Sequence, residues 1–290
     1  MFGILLINKP LGMTSHDVVN QMRRRFSTKR VGHAGTLDPM ASGLLVVAIG
    51  SATRFLQYLP LEPKEYIAKI RFGVETSTYD LEGQPSDPKP LPENLGAEIE
   101  THLAAFRGLI QQFPPMYSAV KVNGQPLYRL ARQGQTIERE ARTVHITEFS
   151  ILDLEGDVAT ARIICSGGTY VRSLAHDLGQ AMGCGAHLVG LKRTRVGRFT
   201  EEMAIPMSEI GPQHVIVLAD ALPPMQLMEL TDIEVAAIRQ GKQLSLPVPT
   251  ERSIVGLLDP RGNVFSVARV MGDMLQPECV IPAEVPDAVA

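Results

Sequence analysis

Cysteine is scarce in this chain: Cys165, Cys184 and Cys279 lie far apart and none forms a CxxC pair. That scarcity excludes a disulfide framework and a cysteine-based zinc site. The seven histidines form no HxH or HExxH arrangement, which removes the common histidine metal signatures as well. No apolar run approaches the length of a membrane span, and a run such as Leu44–Ile49 is far too short. The stretch Met1 to Ile7 lacks both the basic start and the small-residue cleavage site of a secretory leader, so it reads as a buried strand. Internal repeats and long Lys-rich tails are missing too. The remaining picture is a chain for a reducing, cytoplasmic setting, without a metal and with no membrane attachment. Its length suffices for one large domain and a smaller one.

Charge is distributed unevenly behind a formal net charge of −3. Residues 1–200 carry 23 Lys and Arg against 18 Asp and Glu, whereas residues 201–290 carry 5 against 13. Two clusters hold much of the positive excess: Arg23, Arg24, Arg25, Lys29 and Arg30, then Lys192, Arg193, Arg195 and Arg198. Such clusters suit phosphate binding, although solvated helix faces look the same.

Periodicity organises the chain. Phe2–Ile7 reads as a strand, and Thr14 with Asp17 fits a capping box ahead of a helix whose Val18, Val19, Met22 and Phe26 recur at helical spacing. Leu44–Ile49 reads as a buried strand, with Ser51 capping a short helix through Leu59. Tyr66 to Phe72 alternates like a half-exposed strand, Thr76 to Pro92 is loop, and Asn94 to Phe106 is a helix. Residues 108–143 are irregular and basic and read as an insertion projecting from the body. Val144–Leu152 and Val158–Cys165 form a meander, Thr169 to Met182 a helix closed by Gly183, and Ala186 to Phe199 a basic strand. Beyond a boundary at Gly211 to Pro224 come a capped helix at Thr231–Gln240 and two short strands, Ile254–Leu258 and Val264–Val270. The class is therefore α+β, with a large unit over 1–224 and a small β-rich unit over 225–290.

One segment stands out chemically. Gly32-His33-Ala34-Gly35-Thr36-Leu37-Asp38-Pro39-Met40-Ala41-Ser42-Gly43 presents a single carboxylate on a tight loop between a basic helix and an apolar strand. Its glycines allow positive backbone angles and close approach, and Pro39 fixes the backbone directly after the acid. Alone, such a loop is more often an ordinary turn than a site. Further motifs accompany it: Asn8-Lys9-Pro10-Leu11-Gly12-Met13-Thr14-Ser15, then Lys64-Glu65-Tyr66, then Cys165-Ser166-Gly167-Gly168-Thr169-Tyr170-Val171-Arg172-Ser173-Leu174 with Gly183-Cys184-Gly185-Ala186-His187-Leu188.

In this order, from about Ile4 to Arg195, the motifs closely resemble the TruB family of tRNA pseudouridine-55 synthases, as does Phe113–Lys121. The resemblance implies a mixed-sheet pseudouridine synthase core with a PUA-like C-terminal domain, acting on the tRNA T-arm by extruding the target base. It implies no cofactor, no metal, a monomer and no obligatory protein partner. Carried over by motif, Asp38 is the catalytic carboxylate, Tyr66 the aromatic residue beside the base and Arg172 the ion-pair partner of Asp38. Tyr170 and Leu191 would wall the pocket, and His33 would stack within the RNA loop. Lys9, Arg30, Lys121, Arg142, Lys192 and Arg193 are the basic residues expected to bind the RNA. Two departures stand against the family pattern: Gly168 occupies a place where relatives commonly carry a basic residue, and the C-terminal unit is acidic. Two other readings share parts of this pattern. One is the sister synthase of a guide-RNA ribonucleoprotein; the other is a non-catalytic RNA-binding or RNA-folding protein in which Asp38 is structural.

Overall fold

The computed structural model describes residues 1–122, 124–246 and 250–283. Strand β1 (Gly3–Lys9) leads through α1 (Ser15–Arg25) and β2 (Val31–His33) into β3 (Ala41–Ile49). A 3-10 helix over Gly50–Tyr58 precedes β4 (Lys64–Phe72), α2 (Leu95–Leu103) and β5 (Gly108–Gln112). A two-residue-per-strand hairpin, β6 (Lys121–Val122) and β7 (Gln125–Pro126), runs into α3 (Leu127–Arg132). The long meander β8 (Arg142–Glu155) and β9 (Val158–Cys165) is followed by α4 (Val171–Ala181), β10 (Ala186–Val196), β11 (Phe199–Thr200) and β12 (Ile205–Pro206).

These strands form one 10-stranded mixed sheet in the order β12-β1-β3-β10-β4-β9-β8-β5, with β2 pairing β3 and β11 pairing β10. The β1–β12 and β3–β10 pairs are parallel and the other neighbours along that order antiparallel. Its central strands are buried on both faces, which is why Leu44–Ile49 carries no polar alternation. Leu45, Val47 and Ile49 join the core beneath α1, α2 and α4, whereas Leu44, Val46 and Ala48 pack on the opposite face with Phe55 of the 3-10 helix.

That second face is covered further by the C-terminal unit. After α5 (Leu218–Ala221) come β13 (Leu227–Glu229), α6 (Asp232–Arg239), β14 (Leu244–Ser245), β15 (Ile254–Leu258), β16 (Val264–Met271) and β17 (Met274–Val280). They build a five-stranded sheet in the order β13-β15-β16-β17-β14. Val235, Val255, Val267 and Leu275 of this unit share one core with Ile4, Leu6 and Val46. Thr231 caps α6 through a capping box, as its sequence predicts. The strand Met274–Val280 carries no clear sequence signal because Pro277 and Glu278 break its apolar pattern.

Several expectations change in detail. The expected insertion begins later than residue 108, because β5 pairs with β8 at the edge of the main sheet. Ser51 does not cap the following helix: the residue at its start is Ile49 and no side chain caps it. Of the three loop glycines only Gly35 and Gly43 have positive φ, at 94° and 96°. All three cysteines are free and buried. Among the described residues no helix is long and apolar enough to cross a membrane.

Candidate active site

Sheet register brings the motifs together. Leu191 of β10 lies opposite Ala41 of β3 and Ala68 of β4, and Arg193 lies opposite both Gly43 and Tyr66. Asp38 sits three residues before β3 begins, so its loop emerges beside Leu191, whose partner Ala68 is two residues along β4 from Tyr66.

The loop is clamped from two directions. On one side, Ser15 Oγ at the start of α1 donates to the Leu37 carbonyl at 3.1 Å and accepts from the Leu37 amide at 2.8 Å. The Gly12 amide donates to the Pro39 carbonyl at 2.8 Å, and the Ala41 amide closes the turn on the Asp38 carbonyl at 3.0 Å. On the other side stands Arg193, 1% exposed, whose Nε donates to the Leu44 carbonyl at 2.8 Å and Nη2 to the Gly35 carbonyl at 3.1 Å. A Cβ on Gly43 would collide with the Arg193 backbone, so the close approach of β3 and β10 requires glycine there.

Arg172 comes from the first turn of α4, where a cation opposes the helix dipole and needs compensation. Compensation comes from two carboxylates. Its Nε lies 2.9 Å from Asp38 Oδ2 and Nη2 donates to Asp38 Oδ1 at 3.2 Å, a two-point grip. Nη1 lies 3.2 Å from Asp80 Oδ2. The remaining donors reach the carbonyls of Thr78 and Tyr117 at 3.2 and 3.0 Å. The start of α4 has no side-chain cap; instead the buried Gln112 amide accepts from the Tyr170 N–H at 2.8 Å and donates to its carbonyl at 3.0 Å.

Asp80 escapes sequence reasoning, in which Thr76 to Pro92 is plain loop. It is 2% exposed; Thr78 Oγ1 donates to its Oδ1 at 2.5 Å and the Glu82 amide donates to the same oxygen at 3.0 Å. Tyr79, held at φ 64°, stacks on His176 of α4 with ring centroids 3.8 Å apart. The one available signal is the run Thr76-Ser77-Thr78-Tyr79-Asp80, since short hydroxyl side chains beside an acid build local hydrogen-bonded loops.

Around the Arg172–Asp38 pair lies a cavity of about 410 Å³, a size suited to a small planar group. Asp38, Tyr66, Tyr170 and Leu191 line it together with Asp80, Glu82, Tyr117 and Tyr128. About a third of the Asp38 side chain (34%) remains open to it. Burial pushes the Asp38 carboxyl above the ordinary aspartate value; the Arg172 charge pulls it back, while Asp80 adds to the rise. Burial likewise raises the Tyr66 phenol, with the Arg193 charge opposing.

The remaining site candidates divide. His33 is half-buried on β2, does not line the cavity, and its Nδ1 has no partner among the described residues. Arg30, Lys121, Arg142 and Lys192 are exposed, the last paired with Glu201. For Lys9 and Arg193 the expectation of RNA contact is corrected, because neither is exposed. Lys9 is fully buried and donates to the carbonyls of Pro10 and Met13 at 2.9 and 2.6 Å, and burial lowers its amine to about 8. Both are internal braces of the loops, out of reach of a phosphate in this structure. Strand alternation carried the signal: Lys9 shares a face with Leu5 and Ile7, and Arg193 with Leu191.

Comparison with known proteins agrees with this architecture. Residues 23–171 match the family described as TruB family pseudouridylate synthase (N terminal domain), and residues 172–232 match the tRNA pseudouridylate synthase B C-terminal domain. The chain is 43% identical to tRNA pseudouridine synthase B of Thermobifida fusca, over 96% of this chain and 98% of that one. It is 42% identical to the protein of the same name from Mycobacterium bovis, over 96% and 95%. Among solved structures it resembles an H/ACA RNP bound to a substrate RNA containing 2'-deoxyuridine, with a TM-score of 0.67 and 26% identity over 97% of this chain and 86% of that one.

Proposed function

This chain belongs to the TruB family of pseudouridylate synthases, and on that premise we propose that it isomerises the T-arm uridine at tRNA position 55 to pseudouridine. The enzyme is an isomerase: the N1–C1′ bond is broken and C1′ is rejoined to C5 of the same base. The observation that carries the reading is the carboxylate of Asp38 gripped at two points by a buried arginine inside a cavity walled by Tyr66, Tyr170 and Leu191.

The chemistry follows from these groups. A base inside folded RNA is unreachable, so it must be extruded at a cost of a few kcal/mol. Stacking on an aromatic such as Tyr66 returns roughly 1–3 kcal/mol per base. Asp38 then acts on the substrate as an ionised carboxylate, and Arg172, charged at every working pH, keeps it ionised against the burial that favours its protonation. Arg30, Lys121, Arg142 and Lys192 hold surrounding phosphates, and His33 contacts the RNA loop outside the cavity.

We place the protein in the cytoplasm as a monomer acting on tRNA without a protein partner. Support comes from identity: 42–43% to relatives named tRNA pseudouridine synthase B, against 26% to a chain of an H/ACA RNP. A non-catalytic RNA-binding role is disfavoured by the Asp38–Arg172 pair, because a purely structural aspartate has no need of an open cavity. Incubating the purified protein with unmodified tRNA and mapping pseudouridine chemically tests the assignment. Pseudouridine at position 55 alone is the expected result; bound but unmodified tRNA would overturn it.

A further inference from the structure

Arg172 is held from behind by two groups of one short loop, and both reach the same nitrogen. Its Nη1 donates to the Thr78 carbonyl at 3.2 Å and lies 3.2 Å from Asp80 Oδ2. The residue between them is Tyr79. For these two groups to converge, the chain turns sharply at Tyr79, with φ at 64°. A left-handed backbone is uncommon for a residue that carries a Cβ, and neither glycine nor asparagine stands here to adopt it at low cost. Contacts outside the turn must therefore hold it.

The backbone supplies part of the hold. The Tyr79 amide donates to the Thr76 carbonyl at 3.1 Å, and the Tyr79 carbonyl accepts from the Leu188 amide of β10 at 3.0 Å. The side chain supplies the rest: the phenol ring stacks on the imidazole of His176, with centroids 3.8 Å apart and planes 13° from parallel. His176 lies four residues after Arg172 on α4, so the two side chains share a helix face. That face carries both the cation and the ring that steadies the loop gripping it.

The imidazole has no other engagement that explains its place. Its Nδ1 is buried without a hydrogen-bond partner among the described residues. Glu75 Oε2 lies 4.0 Å from it and already accepts from Gln180 at 2.6 Å, while the other Glu75 oxygen pairs with Lys89. Burial lowers the imidazole below the ordinary histidine value; Glu75 opposes this, and Lys89 and Arg139 add to it. The ring is therefore uncharged near neutral pH. What His176 offers the loop is a flat, neutral aromatic face.

We propose that His176 is a positioning residue for the reaction: its ring face locks Tyr79 in the turn that brings Thr78 and Asp80 onto Arg172, and so sets the grip of Arg172 on Asp38. The relay runs through contacts on the page, from His176 to Tyr79, from the Tyr79 turn to Asp80, and from Asp80 through Arg172 to the carboxylate of Asp38. His176 does not line the cavity, so its effect reaches the substrate only through Arg172. The assignment rests on the pseudouridine synthase reading given above.

The test uses the full-length protein and a T-arm stem-loop, with single-turnover conversion at saturating RNA as the readout. His176→Ala removes the ring and should slow conversion by about 10- to 10²-fold, the range of a displaced site group, while RNA affinity stays near that of wild type. His176→Phe restores the flat face without the nitrogens and should recover most of that loss. Asp80→Asn removes the ion pair that the stack serves, so His176→Ala added to it should cost much less than His176→Ala costs alone. A residue that merely supports the fold would slow both backgrounds by the same factor. Should His176→Ala fail to fold, His176→Leu, which fills the space without a flat ring, takes its place. A wild-type rate in the variant lacking the ring, no recovery in His176→Phe, or equal losses with and without Asp80→Asn would each overturn the assignment. If wild type itself forms no pseudouridine, the functional reading fails instead, so the two failures are distinguishable.

Discussion

The guanidinium of Arg172 lies 2.9 Å from one carboxylate oxygen of Asp38 and 3.2 Å from the other, and on its far side 3.2 Å from Asp80. One cation is thus shared by two carboxylates, one open to the cavity and one sealed behind it. The open one is positioned to react; the sealed one holds the arginine at the angle that lets it grip two oxygens. This relation gives the first prediction. Arg172→Lys keeps the charge but loses the planar fork, so turnover should fall about 10²-fold or more, as for loss of a preorganised donor, with RNA affinity nearly unchanged. Single-turnover rates beside a binding isotherm check both halves.

Asp80 provides a prediction with a definite pH sign. Burial and the Asp80 charge raise the Asp38 carboxyl, so the acid limb of the rate profile should lie above the ordinary aspartate value near 4. Activity is lost as pH falls through that raised value, because protonated Asp38 has no charge to offer. Asp80→Asn removes a like charge and should move the limb to lower pH. It also loosens Arg172, so the plateau rate should drop by up to about 10²-fold, the loss expected for a misplaced site group. Arg172→Met removes the opposing charge and should move the limb the other way. Rate profiles of the three proteins between acid and neutral pH are the check.

The basic residues separate into two groups with different signatures. Lys121 and Arg142 are exposed, so each one that contacts a phosphate should contribute about 0.7–0.9 to the slope of log affinity against log salt. Neutralising both should weaken T-arm binding and flatten that slope. Lys9 and Arg193 are buried braces, so Lys9→Met or Arg193→Met should leave the slope alone and destabilise the fold. The cost is about 1.5–3 kcal/mol for each charge-assisted bond lost. Melting curves and salt titrations distinguish the two behaviours.

Much of the site is readable because its residues fall in ordered motifs that resemble the TruB family, Asp38 within a glycine-rich loop, Tyr66 at the head of an alternating strand and Arg172 after a Gly167-Gly168 turn; taken singly, Tyr66 and Arg172 would pass for structural residues. Asp80 is not readable, since its role arises from a loop folded back onto α4 and no periodicity marks such a loop. Lys9 and Arg193 pass for surface charges because net charge says nothing about depth, although the two-residue alternation of their strands points inward. The edge strand β5 is hidden by its weak pattern, Gly-Leu-Ile-Gln-Gln, which pairing with β8 stabilises in place of local propensity.

Gly43 offers a test of the loop's support. It holds φ 96° with the Arg193 backbone pressed against the place a Cβ would occupy. Gly43→Ala should therefore part β3 from β10 and displace the Asp38 loop. Backbone strain alone costs about 1–3 kcal/mol, a fall of roughly 2–10 °C in Tm. Turnover should fall further than the lost stability accounts for. Gly12→Ala, where no atom stands near the added Cβ but φ is also positive, controls for strain without the clash.

The most direct measurement of the central claim maps pseudouridine in unmodified tRNA after incubation with wild type and with Asp38→Asn, alongside their affinities for the same RNA. The amide preserves shape but removes the charge and the nucleophilicity on which the chemistry depends. The account predicts pseudouridine at position 55 with wild type, and none with Asp38→Asn despite near-normal binding. Conversion by Asp38→Asn at more than about a tenth of the wild-type rate would contradict it, because an essential nucleophile carries several orders of magnitude of rate.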